Sequence, residues 1–129
     1  MKRGGPLTRR GQSRFPHRRL DAYRAWIKAL PCDVARQLAE WTKIGGVWAL
    51  DLLGSLGPCW GPVDPAHVRS RGAGGADVGN CISLCRRHHR LFDQDLGHRE
   101  FSRRALLDPV ARSRHLEQQW RDVLPERPF

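Results

Sequence analysis

The sequence lacks any apolar run long enough to cross a bilayer, and it shows no apolar core of the signal-peptide type near its start. A membrane-spanning helix needs about 20 consecutive apolar residues. The apolar stretches here are shorter and are interrupted by glycine, proline or charge. We therefore expect an intracellular protein rather than a membrane or secreted one.

Cysteine and acidic residues are both scarce. The 129 residues include four cysteines, which without a secretion signal are expected to be reduced thiols or metal ligands rather than disulfides. Asp and Glu number 13 against 23 Lys and Arg, giving a formal net charge of +10. Such a surplus favours a polyanionic partner, nucleic acid first and an acidic membrane second. Arginine dominates the cations, and it suits bidentate phosphate contacts better than lysine does.

The length allows a single domain and a tail. Residues 1–19 are rich in Arg, Gly and Pro and predict a flexible basic arm, which either follows a DNA backbone or is only a solvated tail. Residues 20–129 then form the folded domain, beginning with an amphipathic helix over residues 20–30. Residues 33–58 predict a helical insertion, and residues 108–124 predict a C-terminal helix.

Two aspartates are suited to begin helices. Asp33 is expected to be the N-cap of the first insertion helix. Asp108 is expected to be the N-cap of the C-terminal helix, with Pro109 at its first helical position.

The most informative stretch comprises residues 64–95. It begins with a short extended segment that carries His67, and it passes through a glycine-rich turn at residues 72–75. Asn80 follows, and then an apolar run over residues 81–85. The pattern predicts the order strand, turn, strand.

A helix is predicted to follow this second strand, and it carries His89 and Asp93. Residues four apart project from one helical face, so the imidazole and the carboxylate can meet. With open positions left for water and phosphate, such a pair suits a divalent cation. A base that activates water would complete a hydrolytic site with such a cation, and the pKa of histidine near neutrality suits that role.

This order of a histidine, an asparagine and a second histidine on two strands and a helix resembles the HNH endonucleases, the ββα-metal nuclease family. The match covers roughly a quarter of the chain. The resemblance implies a small α+β domain of phage or prophage type, in which an HNH core over residues 59–96 is flanked by N- and C-terminal helices. It also implies hydrolysis of DNA, expected to be double-stranded, in the bacterial cytoplasm.

The resemblance further implies a role for each matching residue. His67, facing the helix, is the general base, and Asn80 ties the loop to the backbone and keeps that base oriented. His89 and Asp93 hold a divalent cation, which the donor types leave open as Mg²⁺, Mn²⁺, Ni²⁺ or Zn²⁺.

One position departs from the family pattern. Many members carry an aspartate or histidine ligand directly before the base, where this sequence has Ala66. Either Asp64 or water then completes the coordination sphere, or two protein groups hold the cation. A weakened enzyme remains an open alternative.

A second, structural metal site is predicted from cysteine spacing. Cys85 and His88 have the separation of a zinc knuckle, and Cys32 and Cys59 flank the insertion, so the four could converge on structural zinc. Alternatively, packing of the five tryptophans and flanking helices replaces a metal. Cys81 is either a further ligand or a small core residue.

Five arginines crowd the motif and could contact the DNA backbone, unless they are only solvated: Arg69, Arg71, Arg86, Arg87 and Arg90. His98 and His115 are expected at the surface, not as ligands. Two other classes of function stay open. One is a catalytically inactive, zinc-stabilised DNA-binding module, and the other is a phage protein that acts with a packaging or recombination partner.

Overall fold

The computed structural model describes residues 17–69 and 77–123, with side chains from residue 21 onward. Most of the predicted basic arm, the glycine-rich turn at residues 72–75 and Arg71 lie outside these ranges.

The described chain mixes helices with one pair of strands, which confirms the α+β class. Its elements in order are α1 (His17–Lys28), α2 (Asp33–Ile44), α3 (Val47–Gly54), β1 (Val63–His67), β2 (Cys81–Cys85), α4 (Arg86–Arg90), a π-helical turn (Leu91–Asp95), α5 (His98–Ala105) and α6 (Pro109–Val123). The first helix therefore begins at His17, inside the region predicted as a flexible arm.

Strands β1 and β2 form an antiparallel hairpin in which Val63 lies opposite Cys85 and His67 lies opposite Cys81. Because side chains alternate along a strand, the register divides the hairpin into two faces. One face carries Asp64, Ala66, Ile82 and Leu84, and the other carries Val63, Pro65, His67, Cys81, Ser83 and Cys85.

Helices cover the hairpin and create two hydrophobic clusters. The larger cluster contains Ala66, Ile82 and Leu84 together with Phe92 and Phe101 from the helices that follow β2. The smaller one joins α1 to α6 through four residues: Tyr23, Ile27, Leu116 and Trp120. Trp48 and Trp60 are exposed, so the five tryptophans do not form a common core.

Asp33 is not the N-cap that the sequence predicted. Cys32 occupies the cap position of α2, and Asp33 is the first helical residue and fully buried. Its carboxylate accepts hydrogen bonds from Arg36 at 3.0 Å, Arg112 at 2.9 Å and the backbone N–H of Ser83 at 3.2 Å. Asp33 therefore connects α2 to α6 and to β2, where a cap would have served α2 alone.

The predicted start of the C-terminal helix is confirmed. The backbone N–H of Ala111 donates to Asp108 Oδ1 at 3.1 Å, and Pro109 is the first residue of α6. None of the helices in the described ranges combines the length and the apolar character that a membrane span requires.

Candidate metal centre and active site

Cys32, Cys59, Cys85 and His88 converge on one point, as the sequence predicted. Their donor atoms all lie within 4.8 Å of one another. The three sulfurs are 3.5, 3.7 and 3.2 Å from His88 Nδ1. Tetrahedral zinc with ordinary bond lengths would place sulfur and nitrogen about 3.5 Å apart. The cluster can therefore hold a metal ion.

The hydrogen bonds of His88 fix which ring nitrogen is free for a metal. His88 Nε2 is 3.2 Å from the carbonyl of Leu56 and 3.0 Å from that of Gly57. Carbonyl oxygens only accept, so Nε2 carries the proton and Nδ1 presents a lone pair to the sulfurs. One nitrogen cannot serve three thiols through hydrogen bonds, whereas a cation in their midst would satisfy all four donors.

The thiol of Cys59 also depends on a cation for its charge. Desolvation, followed by the neighbouring thiols of Cys32 and Cys85, raises the pKa of Cys59 to about 12. Without a metal this thiol therefore stays protonated near neutral pH. A bound metal ion removes the penalty, because thiolates are the form that it binds.

The hairpin gives His67 a partner that the sequence did not reveal. His67 Nε2 donates to Asp77 Oδ1 at 2.7 Å, and Asp77 is 3 % exposed. A carboxylate accepts this proton, so Nδ1 of the neutral ring keeps its lone pair. Asp77 lies in the turn before β2, and a turn has no hydrophobic periodicity from which its side-chain contacts could be predicted.

His67 does not face the helix that carries His89, contrary to expectation. Adjacent side chains of a strand point to opposite faces, and His67 lies on the face of Cys81, whereas Ala66 belongs to the buried cluster that also contains Phe92. Among the described residues, His67 makes no hydrogen bond or ion pair with His89 or Asp93.

Asn80 makes the contacts to the loop backbone that the resemblance implied. Its Oδ1 accepts from the N–H of Arg69 at 2.9 Å, and its Nδ2 donates to the carbonyl of Arg69 at 2.8 Å. The carbonyl of Asn80 also accepts from the N–H of Val68 at 2.8 Å. Asn80 thus fixes the chain on the C-terminal side of His67.

His89 lies between two carboxylates. Its Nε2 is 3.0 Å from Asp93 Oδ2, which is the contact that the spacing of four predicted. Its Nδ1 is 4.0 Å from Asp64 Oδ2. Asp64 is two residues from Ala66 on the same face of β1, so it reaches the helix where alanine offers no ligand.

The two carboxylates approach opposite nitrogens of the His89 ring, so the three side chains do not meet at one point. A cation could be held by His89 with either Asp64 or Asp93, and water would fill the remaining positions. Asp93 belongs to the π turn, a feature that is frequent at functional sites.

His98 is exposed, as predicted, but it is not isolated. Its ring stacks on Phe92 with 3.7 Å between centroids, and its Nε2 is 3.2 Å from Asp93 Oδ1. Asp93 is therefore positioned by imidazoles on both sides. No sequence pattern indicated this contact, because a separation of five residues does not match the α-helical spacing of three or four.

The described arginines of the motif are exposed. Arg86 pairs with Asp64 at 3.4 Å and Arg90 with Asp95 at 3.6 Å. The guanidinium of Arg87 packs beside Gly57.

Comparisons with protein-family models, with curated proteins and with solved structures find no match to this chain.

Proposed function

We propose that this protein is a zinc-stabilised nuclease that hydrolyses DNA phosphodiester bonds with the help of a second divalent cation. The observation that carries the proposal is a pair of oriented imidazoles. The hairpin gives His67 a buried carboxylate partner, and the following helix holds His89 against Asp93 and beside Asp64.

In this proposal, His67 is the general base. Asp77 accepts a hydrogen bond from the Nε2–H group and so orients the ring. Nδ1 can then take a proton from the attacking water. The same carboxylate stabilises the imidazolium that forms. Asn80 positions the adjoining backbone through its two bonds to Arg69.

His89 with Asp93 or Asp64 would hold the catalytic cation. When bound, such an ion stabilises negative charge on the phosphate and on the departing 3′ oxygen. Mixed imidazole and carboxylate donors with water-filled positions suit Mg²⁺ or Mn²⁺ in exchangeable binding.

The surface around the cysteine cluster supports contact with nucleic acid. Trp60 is 67 % exposed, and its carbonyl accepts from the N–H of Arg87 at 3.1 Å. Gly61, which follows Trp60, packs against the side chain of Arg86. An exposed aromatic ring in a segment whose backbone adjoins Arg86 and Arg87 can stack on a base while the two cations contact phosphate.

Zinc in the cysteine cluster would act structurally. Four protein donors leave no open position for substrate, which is the arrangement of structural sites. The ion would join the start of α2, the loop before β1 and the start of α4. These connections would fix the position of the hairpin relative to the helix that follows it.

A DNA-binding module without turnover is the second candidate. Three observations favour it: Ala66 supplies no ligand, Asp64 and Asp93 face opposite nitrogens of His89, and His67 lies on the face of the hairpin opposite to Asp64. A phage protein that acts only with a packaging or recombination partner would show cleavage only when that partner is added.

Supercoiled plasmid incubated with the purified chain separates these candidates. With Mg²⁺ or Mn²⁺ we expect nicking or linearisation by the wild type, and its loss in His67→Ala and His89→Ala. His115→Ala, an exposed histidine on α6, is the matched control and should keep full activity. Binding without cleavage under every divalent ion would establish the module instead.

A further inference from the structure

A second cluster of metal-binding side chains lies in the hairpin itself. His67, Asp77 and Cys81 each offer a donor atom, and these atoms lie within 4.8 Å of one another. His67 and Cys81 are directly opposite each other in the register, and Asp77 is in the turn that leads into β2. The hairpin backbone therefore sets the spacing of all three donors.

The donor types select the metal. An imidazole, a carboxylate and a thiolate suit borderline ions such as Zn²⁺ and Co²⁺, whereas Mg²⁺ prefers oxygen alone. We propose that His67, Asp77 and Cys81 form an exchangeable site for such a transition-metal ion, distinct from the cluster of Cys32, Cys59, Cys85 and His88.

Burial and charge indicate how an ion would enter and how firmly it would be held. Asp77 and Cys81 are buried, while the side chain of His67 is 23 % exposed, so an ion would enter past the imidazole. Three protein donors leave a fourth position for water. Arg24 Nη1 lies 4.0 Å from Asp77 Oδ2, and its positive charge opposes a cation. The site is therefore weaker than the four-donor cluster.

An ion at this site would inhibit the hydrolysis proposed above, and this consequence rests on that proposed function. The metal would bind the Nε2 lone pair of the His67 tautomer that carries its proton on Nδ1, and the hydrogen bond from Nε2 to Asp77 would be lost. Nδ1 then has no lone pair with which to accept a proton from water. Zn²⁺ would therefore prevent His67 from acting as the general base, whereas Mg²⁺ would support the reaction.

Cobalt titration of the full chain, first loaded with one equivalent of Zn²⁺, tests the site. Zinc in a thiolate site resists displacement by cobalt, so any thiolate-to-cobalt charge-transfer band reports Cys81. We expect one further equivalent of Co²⁺ to bind with such a band. The band should vanish in Cys81→Ser and persist in the control His115→Ala. A zinc-loaded wild type without the band, or Cys81→Ser with it, would overturn the proposal.

Asp77→Asn gives an independent reading, needed if Cys81→Ser fails to fold. Asparagine keeps the shape of the side chain and removes its charge, so the band should appear only at tenfold or more higher Co²⁺. Half-saturation at the wild-type concentration would rule out Asp77 as a ligand and with it the proposed site.

An activity assay tests the inhibitory consequence and separates it from the nuclease proposal. Zn²⁺ added to the Mg²⁺-supported reaction should inhibit the wild type and leave Cys81→Ser at least tenfold less sensitive. A chain that binds Co²⁺ but never cleaves DNA would refute the nuclease alone. Cleavage without the cobalt band would refute the metal site alone, and equal zinc sensitivity of the two proteins would refute inhibition through this site.

Discussion

At the scale of single residues, hydrogen bonds determine the ring tautomers of two histidines, His88 and His67. Both have one ring nitrogen fixed by an acceptor, Leu56 and Gly57 carbonyls for His88 and Asp77 for His67. In each ring the other nitrogen keeps its lone pair. For His88 that lone pair faces three sulfurs, and for His67 it is the atom proposed to accept a proton.

Asp77→Asn is predicted to lower the rate of DNA cleavage while leaving DNA affinity unchanged. The amide cannot stabilise an imidazolium and can favour the wrong ring tautomer, so we expect a loss of about 10²-fold or more in kcat. Single-turnover cleavage and equilibrium DNA binding would measure the two effects separately. Asp51→Asn, an exposed site on α3, is the control. A wild-type rate in Asp77→Asn would show that His67 does not need this partner.

At the scale of elements, the local order was predictable from the sequence and the contacts between distant elements were not. The glycine-rich turn between two short apolar segments is a local signal, and it correctly gave a hairpin followed by a helix. Asp33 and Arg112 are 79 residues apart, so no local pattern could show that they pair.

The candidate sites divide in the same way. The cysteine cluster was predictable because thiols are rare in the chain and have few alternative uses in a reduced protein. From the sequence, Asp64 and water were open alternatives for completing the coordination sphere, and only the strand register shows that Asp64 shares a face with Ala66 and approaches His89. Asp77 was missed because a carboxylate in a turn is ordinary in composition, and only the folded hairpin brings it to His67.

Asp33→Asn is predicted to destabilise the fold by about 3–5 kcal/mol, because it leaves a largely buried guanidinium without its counter-charge. Burial lowers the pKa of Arg112, and Asp33 is the main group that opposes this shift. Urea unfolding of zinc-loaded protein would measure the change. Asp51→Asn should stay within about 0.5 kcal/mol of wild type. A loss below about 1 kcal/mol in Asp33→Asn would show that the three bonds of Asp33 are not critical to packing.

At the scale of the whole molecule, the net charge of +10 and the arginines beside Trp60 predict salt-dependent DNA binding. Each phosphate contact steepens the dependence of log K on log salt by about 0.9. Arg87→Gln should therefore lower the slope by about 1, as measured by fluorescence anisotropy across salt concentrations. Arg114→Gln, exposed on α6, should leave it unchanged. Equal slopes for all three proteins would place the DNA surface elsewhere.

The cysteine cluster predicts opposite pH dependences with and without metal. In the metal-free fold, the pKa of Cys59 is raised from 9.0 to about 12, so its neutral thiol supports folding below pH 9 and this support is lost as the pH rises toward 12. With metal bound, acid protonates the thiolates and weakens the site. The unfolding temperature of the chelated protein should therefore fall above pH 9, whereas that of the zinc-loaded protein should fall on acidification. An unfolding temperature of the chelated protein that stays constant above pH 9 would contradict this prediction.

Metal content tests most directly the claim that an ion joins the hairpin to the helices around it. We predict that elemental analysis of the purified chain finds one zinc per molecule that survives dialysis against a weak chelator. His88→Ala should lose that zinc and unfold at a lower temperature than the wild type, while His115→Ala should match the wild type in both. A wild-type chain that is folded when purified and contains no zinc would contradict the account.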